Sequence, residues 1–364
     1  MEDRIVRISA IATFCLMLVV CALFFYLPDL HKYEDKVRQQ YLKEAALRDN
    51  IRRLDELSGL ELLQYNNDYP SRTGEEESEF SQQLRLVVPE GVSAEDIEIE
   101  NNIMHRTLTI TFPGATEDYM YRYPMLGRPD HILDLNYECV DDTGRLEIVL
   151  DGAYEYLRED DGEYFYLDFV KPHEKYDYIL VIDAGHGGKA SGALREEVLE
   201  KNLNLGMVLE LKKILDERKS DSFGVYYTRT EDVNPTLEER VALANDTEAD
   251  LFISIHNDAA KRQEDKASGT TVLYQGEKGE AYDAKALAEI FSEAVTETVG
   301  SENRGAVVAD DLYIIRHSDV PVLLIEVGFM SNPKELKNLN TSEYQHLAAE
   351  GIYKGILRAY AASE

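Results

Sequence analysis

The chain has 364 residues, 44% of them hydrophobic and 30% charged, and a formal net charge of −32. Its length exceeds one ordinary core and predicts two or more domains, while its acidity argues against a nucleic-acid partner, since phosphate contacts need clustered Lys and Arg. Cys15, Cys21 and Cys139 show no zinc-ligand spacing and predict no disulfide framework.

The first predicted element is a membrane anchor, residues 1–28. Ile8 to Leu27 carries no charge, and about 20 apolar residues suffice to cross a hydrocarbon core of about 30 Å. No small-residue cleavage site follows, so the segment reads as an uncleaved transmembrane helix. Arg4 and Arg7 precede it and Lys32, Lys36, Arg38, Lys43 and Arg48 follow it, so charge bias alone does not place the C-terminal part outside.

Residues 29–81 read as a juxtamembrane helical stalk and an acidic linker. Val37, Tyr41, Leu47, Ile51, Leu54 and Leu57 recur at a loose helical spacing suited to a solvated helix, and "NNDYPSRTGEEESEF" is rich in turn formers and acids. The period then changes to two. "LRLVVP", "IEIE", "LTITFPG", "RLEIVLD", "YEYL" and "YFYLDFV" alternate between turn signals such as Asp142-Thr143-Gly144 and Asp161-Gly162, which predicts a small all-β sandwich over 82–172. Its Tyr154, Tyr156, Tyr164 and Tyr166 read chiefly as half-buried strand residues, with a sugar-binding face as the alternative.

From 176 to 364 the pattern alternates strand and helix. Apolar runs at Ile179–Ile182, Val225–Tyr227, Leu251–Ile255 and Val322–Ile325 predict strands. Between them Leu203, Met207, Leu211 and Ile214 share one helical face, Leu287, Phe291 and Ala294 another, and Thr236-x-x-Glu239 is a capping box. The fold class is α/β, with a mostly parallel sheet flanked by helices.

The strands end in ionisable residues: the first leads through Gly185 to His186, "LFISI" to His256, and "PVLLI" to Glu326. Ligands of open α/β sheets bind beyond the carboxyl ends of the strands, so these groups share one rim. Two histidines with carboxylates there suit a catalytic zinc, which takes three N/O ligands and makes water nucleophilic at neutral pH, with a separate carboxylate to move the proton. Glu196, Glu197 and Glu200 compete for the third ligand position; acids also favour the first turn of a helix for electrostatic reasons alone.

"IDAGHGG", "EKNLNL", "YYTRTEDVNPTLEERVALAN", "LFISIHNDAA" and "VLLIEVGFMSNPKE" follow one another in this chain. Over about Tyr178 to Tyr360 the sequence resembles the zinc-dependent N-acetylmuramoyl-L-alanine amidases, the catalytic domain type of bacterial cell-wall lytic and sporulation amidases. The resemblance implies one Zn²⁺ held by His186, Glu200 and His256, Glu326 as catalytic acid/base, and hydrolysis of the amide between N-acetylmuramic acid and L-alanine in peptidoglycan. Arg229 and Arg240, within shared motifs, read as structural ion-pair residues. His256-Asn257-Asp258 departs from the His-x-Asn common in the family, which bears on substrate contacts and leaves the ligand set intact. The loop Ala259–Ser268 is too short for an inhibitory helix, so no activator partner is expected. The β region resembles, by architecture alone, the cell-wall-targeting sandwich placed before some of these amidases.

Because peptidoglycan lies outside the cytoplasmic membrane, the implied location is the bacterial cell membrane, single-pass, with the catalytic domain on the extracytoplasmic side. Neither a G-x-S-x-G elbow nor a P-loop occurs. The competing readings are a membrane-tethered zinc peptidase acting on stem peptides and a non-catalytic cell-wall-binding protein.

Overall fold

A computed structural model describes residues 32, 36–42, 54, 56–68, 82–218, 220–260, 267–276 and 278–363. The expected anchor, much of the stalk, residues 69–81 and most of the loop expected to be too short for an inhibitory helix lie outside these residues. Among the described ones no helix is long and apolar enough to cross a membrane.

The alternating segments form eight strands: β1 (Leu84–Val87), β2 (Glu98–Asn102), β3 (Thr107–Pro113), β4 (Leu126–Gly127), β5 (Ile132–Val140), β6 (Thr143–Leu150), β7 (Glu155–Asp160) and β8 (Tyr164–Val170). They make two four-stranded antiparallel sheets, ordered β4-β1-β8-β7 and β2-β3-β6-β5. Period-two patterning turns Ile110, Phe112 and Ile148 of one sheet inward against Leu84, Leu86 and Phe165 of the other, giving a closed sandwich core. Sequence reading overlooked β5, and it set the β5–β6 turn too late. Asp141 and Asp142 form it with φ of 51° and 57°, while Thr143 and Gly144 already pair with Val140 and Cys139. A two-residue hairpin turn demands left-handed backbone, which Asp tolerates.

Val37 and Tyr41 of the stalk are exposed as expected, but its C-terminal end needs correction. The helix α1 (Gly59–Asp68) opens with a Ser58–Glu61 capping box and buries Leu62 and Leu63 in the sandwich core. Asn66 donates to the Met125 carbonyl at 3.0 Å and Asn67 to the Gly127 carbonyl at 2.6 Å, so this helix belongs to the β domain. Among the four tyrosines, Tyr154 is buried with its hydroxyl 2.8 Å from His131 Nδ1, and Tyr156, Tyr164 and Tyr166 are half-buried.

Beyond them lies the second domain. A six-stranded sheet runs in the order β12-β9-β13-β16-β14-β15; its members are β9 (Tyr178–Ala184), β12 (Phe223–Tyr227), β13 (Leu251–Asp258), β14 (Thr270–Tyr274), β15 (Asn303–Val308) and β16 (Val322–Phe329). Every neighbouring pair is parallel except β14–β16, so the sheet is mostly parallel as expected. The fully buried β9 and nearly buried β13 explain their continuous apolar runs. On one face pack α2 (Glu200–Glu217), through Leu203, Met207 and Leu211, then α4 (Ala284–Val299) and, after α6 (Pro333–Leu339), α7 (Ser342–Ser363). The other face holds α3 (Leu237–Asp246), begun by the Thr236–Glu239 capping box, and the short α5 (Tyr313–His317).

The crossover after β9 runs over one face through α2 to β12, and the next over the opposite face through α3 to β13 on the other side of β9. The topological switch point therefore lies between β9 and β13, where such sheets leave a crevice at the carboxyl ends of their strands. The sandwich docks at the opposite end of this sheet: Ile103 and Ala153 join the α3-side core, Arg106 pairs with Asp246 at the end of α3, and Glu155 accepts from the Tyr226 hydroxyl and Lys175 Nζ, each at 2.8 Å.

Candidate active site

Glu200, His186 and His256 reach the crevice from three places. β9 ends at Ala184, level with Ile255 of β13, so His256 emerges beside Gly185. In the next strand Glu326 stands in register with His256, on the same side of the sheet. His186 leaves β9 with φ of 65°, a left-handed turn that swings its imidazole back toward the strand ends. Glu200, the first residue of α2, is buried with its carboxylate turned to both rings. Its Oε1 lies 3.0 Å from His256 Nδ1 and 3.1 Å from His186 Nε2. The three donor atoms lie within 4.8 Å of one another, a group able to hold one metal ion.

The rival acids are placed elsewhere. β10 (Leu194–Arg195) and β11 (Val198–Leu199) form a small hairpin whose turn is Glu196-Glu197, with φ of 48° and 66°, and both side chains face solvent. Hairpin geometry thus turns Glu196 and Glu197 away from the crevice that Glu200 enters.

Two glycines make the convergence sterically possible. A Cβ on Gly185 would stand 2.1 Å from His256 Nε2, and one on Gly192, whose φ is +66°, would stand 2.4 Å from Glu200 Oε2 and 2.6 Å from His186 Cδ2. Both glycines therefore give ring and carboxylate the space a methyl would fill. Gly192→Ala is expected to lower metal affinity by about 10- to 100-fold, the range for disturbed ligand support, as measured by chelator competition.

Glu200 is held from behind. Ala193 N–H donates to Oε2 at 2.9 Å, Asn257 N–H to Oε1 at 3.3 Å, and Asn204 Nδ2 to Oε1 at 3.4 Å; Asn257 Nδ2 in turn donates to Asn204 Oδ1 at 2.8 Å. Asn257 is buried, with its amide turned to Asn204 behind Glu200. Sequence reasoning missed Asn204, although its place four residues after Glu200 on one helix face was a visible signal. Burial pushes the Glu200 pKa up, but hydrogen bonds from His186 and His256 outweigh it and hold the carboxyl well below its ordinary range. Glu200 is thus ionised, as a metal ligand must be.

Glu326 is the opposite case. Burial first, then the charges of Glu200 and Asp258, push its pKa well above the ordinary carboxylate value, and its buried Oε2 has no hydrogen-bond partner among the described residues. Two nearby carboxylates thus differ in proton affinity, the usual arrangement where one binds and the other transfers a proton.

Beneath the crevice Asp183 accepts from Arg240, Thr228 and Ser254. Arg240 also donates to the carbonyls of Ala184 and His186, at 2.9 and 2.7 Å, so it is the expected ion-pair residue and a brace for the histidine loop. Arg229 departs from its expected role: its hydrogen bonds go to the carbonyls of Ala184, Gly185, Glu231 and Lys201. A guanidinium fork satisfies several strand-end carbonyls at once, which a single carboxylate pair does not require.

A family model described as "Amidase_3: N-acetylmuramoyl-L-alanine amidase" matches residues 180–358. The chain is 36% identical over 177 residues to the uncharacterized protein YqiI of Bacillus subtilis, covering 49% of this chain and 82% of that protein. It is 34% identical over 197 residues to the germination-specific N-acetylmuramoyl-L-alanine amidase of Bacillus subtilis, covering 50% and 79%. The chain belongs to the N-acetylmuramoyl-L-alanine amidase family. A crystal structure of an N-acetylmuramoyl-L-alanine amidase from Clostridium difficile 630 is 32% identical, with a TM-score of 0.47, and the match covers 51% of this chain and 98% of that one. The amidase domain matched here contains all four residues singled out at the crevice, and the sandwich precedes it.

Proposed function

We propose that this amidase hydrolyses the amide between the lactyl group of N-acetylmuramic acid and L-alanine in peptidoglycan, with one zinc ion held by His186, Glu200 and His256 and with Glu326 as acid/base. The observation that supports it most is the convergence of two imidazole nitrogens and an ionised carboxylate oxygen beside a second, buried carboxyl of raised pKa. The donor set fits zinc in chemistry and in span: bonds of about 2.0–2.1 Å in a tetrahedron put ligand atoms about 3.3 Å apart, and two of the donor pairs here stand 3.0 and 3.1 Å apart.

Held by His186, Glu200 and His256, a zinc ion would supply Lewis acidity for the scissile carbonyl and for an attacking water at neutral pH. The chain's own groups do the rest. Glu326 takes the proton of the attacking water and returns one to the nitrogen of the leaving L-alanine. The Asn204–Asn257 pair and the Ala193 N–H keep Glu200 from rotating, while Arg240 and Arg229 hold the carbonyls of the loop that presents His186.

Digestion of purified sacculi by the zinc-loaded protein tests the reading. New L-alanine amino termini and glycan strands bearing free lactyl carboxylates are expected, abolished by a chelator and restored by added zinc. Cleavage within the stems, leaving alanine attached to muramic acid, would make the chain a peptidase; no cleavage at all would leave a binding protein. The segment Ile8–Leu27 is read as an anchor that keeps the catalytic domain outside the cytoplasmic membrane, to be tested by protease access to intact spheroplasts.

A further inference from the structure

A cavity of about 400 Å³ opens directly beside the two histidines, on the α3 side of the sheet. His186 and His256 form one wall; Pro235, Leu237, Leu312 and Tyr313 form the others. The cavity is almost entirely apolar, and Arg240, the one Lys or Arg among its described lining residues, is committed to Asp183 and to the carbonyls of Pro235, Ala184 and His186. Tyr313 stands half-buried at its edge, and His317 is stacked beneath the ring at 4.0 Å between centroids and 20° between planes. An aromatic ring fixed in this way loses little freedom when a ligand covers it.

We propose that this cavity is the subsite for the muramoyl side of the scissile amide, and that Tyr313, backed by His317, is its specificity-determining platform. The inference rests on the amidase reading above and extends it to one side of the bond. Whatever lies next to the reacting carbonyl on this side meets a pocket whose described charged side chains, Arg240 and Asp183, are already paired with each other. The peptide side carries carboxylates within a residue of the alanine, and among the described lining residues no uncommitted cationic side chain offsets their desolvation. The muramoyl side is neutral once amide-linked. It carries a lactyl methyl, an N-acetyl methyl and a sugar ring whose C–H face suits an aromatic plane, which are groups that apolar walls accept. A sugar ring also suits the cavity's volume better than an alanine methyl does.

The test compares two substrates for the zinc-loaded full chain: a muramoyl peptide, and the same peptide carrying only a D-lactoyl group in place of the muramoyl group. Wild type should prefer the sugar-bearing substrate, and Tyr313→Ala should raise its KM by about tenfold, the scale of an aromatic contact, while leaving turnover of the lactoyl peptide unchanged. Tyr313→Phe should keep the preference, since ring and stacking survive, and this variant separates loss of the platform from loss of fold. Equal losses on both substrates, or an unchanged preference in Tyr313→Ala, would overturn the assignment. Wild type that leaves the muramoyl–alanine bond intact would remove the reading beneath it, a distinct result visible before any variant is made.

Discussion

Glu326→Gln is expected to lower kcat by about 10³-fold, within the range for loss of a positioned general acid/base, with one zinc per chain retained. The substitution keeps the volume and the strand. Glu326 lies in β16, in register with His256 on one side and Thr271 on the other, so its backbone is tied on both sides whatever its side chain. What the amide loses is the ability to take and return a proton. Metal content measured beside activity separates this from loss of a ligand: His256→Ala should lose zinc and activity together, and parallel loss of zinc in Glu326→Gln would move that residue into the ligand set. The raised pKa of Glu326 carries a sign. Activity that requires the ionised form fails on the acid side, and anything that lowers this pKa extends activity to lower pH. Asp258 is one of the charges that push it up. Asp258→Asn should therefore shift the acid limb of kcat/KM to lower pH, read from the full pH profile.

Asp183→Asn should destabilise the catalytic domain by about 3–5 kcal/mol, the cost of leaving a buried charge without its partner. Asp183 and Arg240 are both almost wholly excluded from solvent, and the amide cannot neutralise the guanidinium left behind. Burial alone would raise the Asp183 pKa, but Arg240, Ser254 and Thr228 outweigh it and the value is lowered. A carboxyl depressed on folding contributes stability that is fully present above its unfolded value, about 3.9, and is lost as pH falls through the lower folded value. Wild type should thus lose stability in strong acid, and the variant should lack that part of the pH dependence; denaturant melts at neutral and acid pH give both. Because Arg240 also braces the His186 carbonyl, zinc affinity should fall with stability. A stable Asp183→Asn with normal zinc binding would show that the pair is dispensable.

Period and punctuation carried much of the architecture. The apolar runs of β9 and β13, the shared face of Leu203, Met207 and Leu211, and the alternation of β3 and β6 are local patterns created by burial on two faces, one stripe or one face. Short polar strands and hairpins were harder to read. β10, β11 and β15 hold few buried residues, so their pairing left little trace in composition. The fate of α1 was equally hidden, because Leu62 and Leu63 give the same helical spacing whether they meet solvent or a sandwich core.

By itself the amino-acid order determined which groups stand at strand ends: His186, His256 and Glu326 follow apolar runs, and a strand's length and direction are local properties. Turning Glu200 rather than Glu196 and Glu197 into the crevice, burying Asn257 behind it and opening an apolar cavity beside the two histidines depended on the tertiary structure. Each of those outcomes needs segments distant along the chain to meet in space: the start of α2, the end of β13 and the first residue of α5. Distances between such segments are set by how helices pack on a twisted sheet, and no local spacing encodes them.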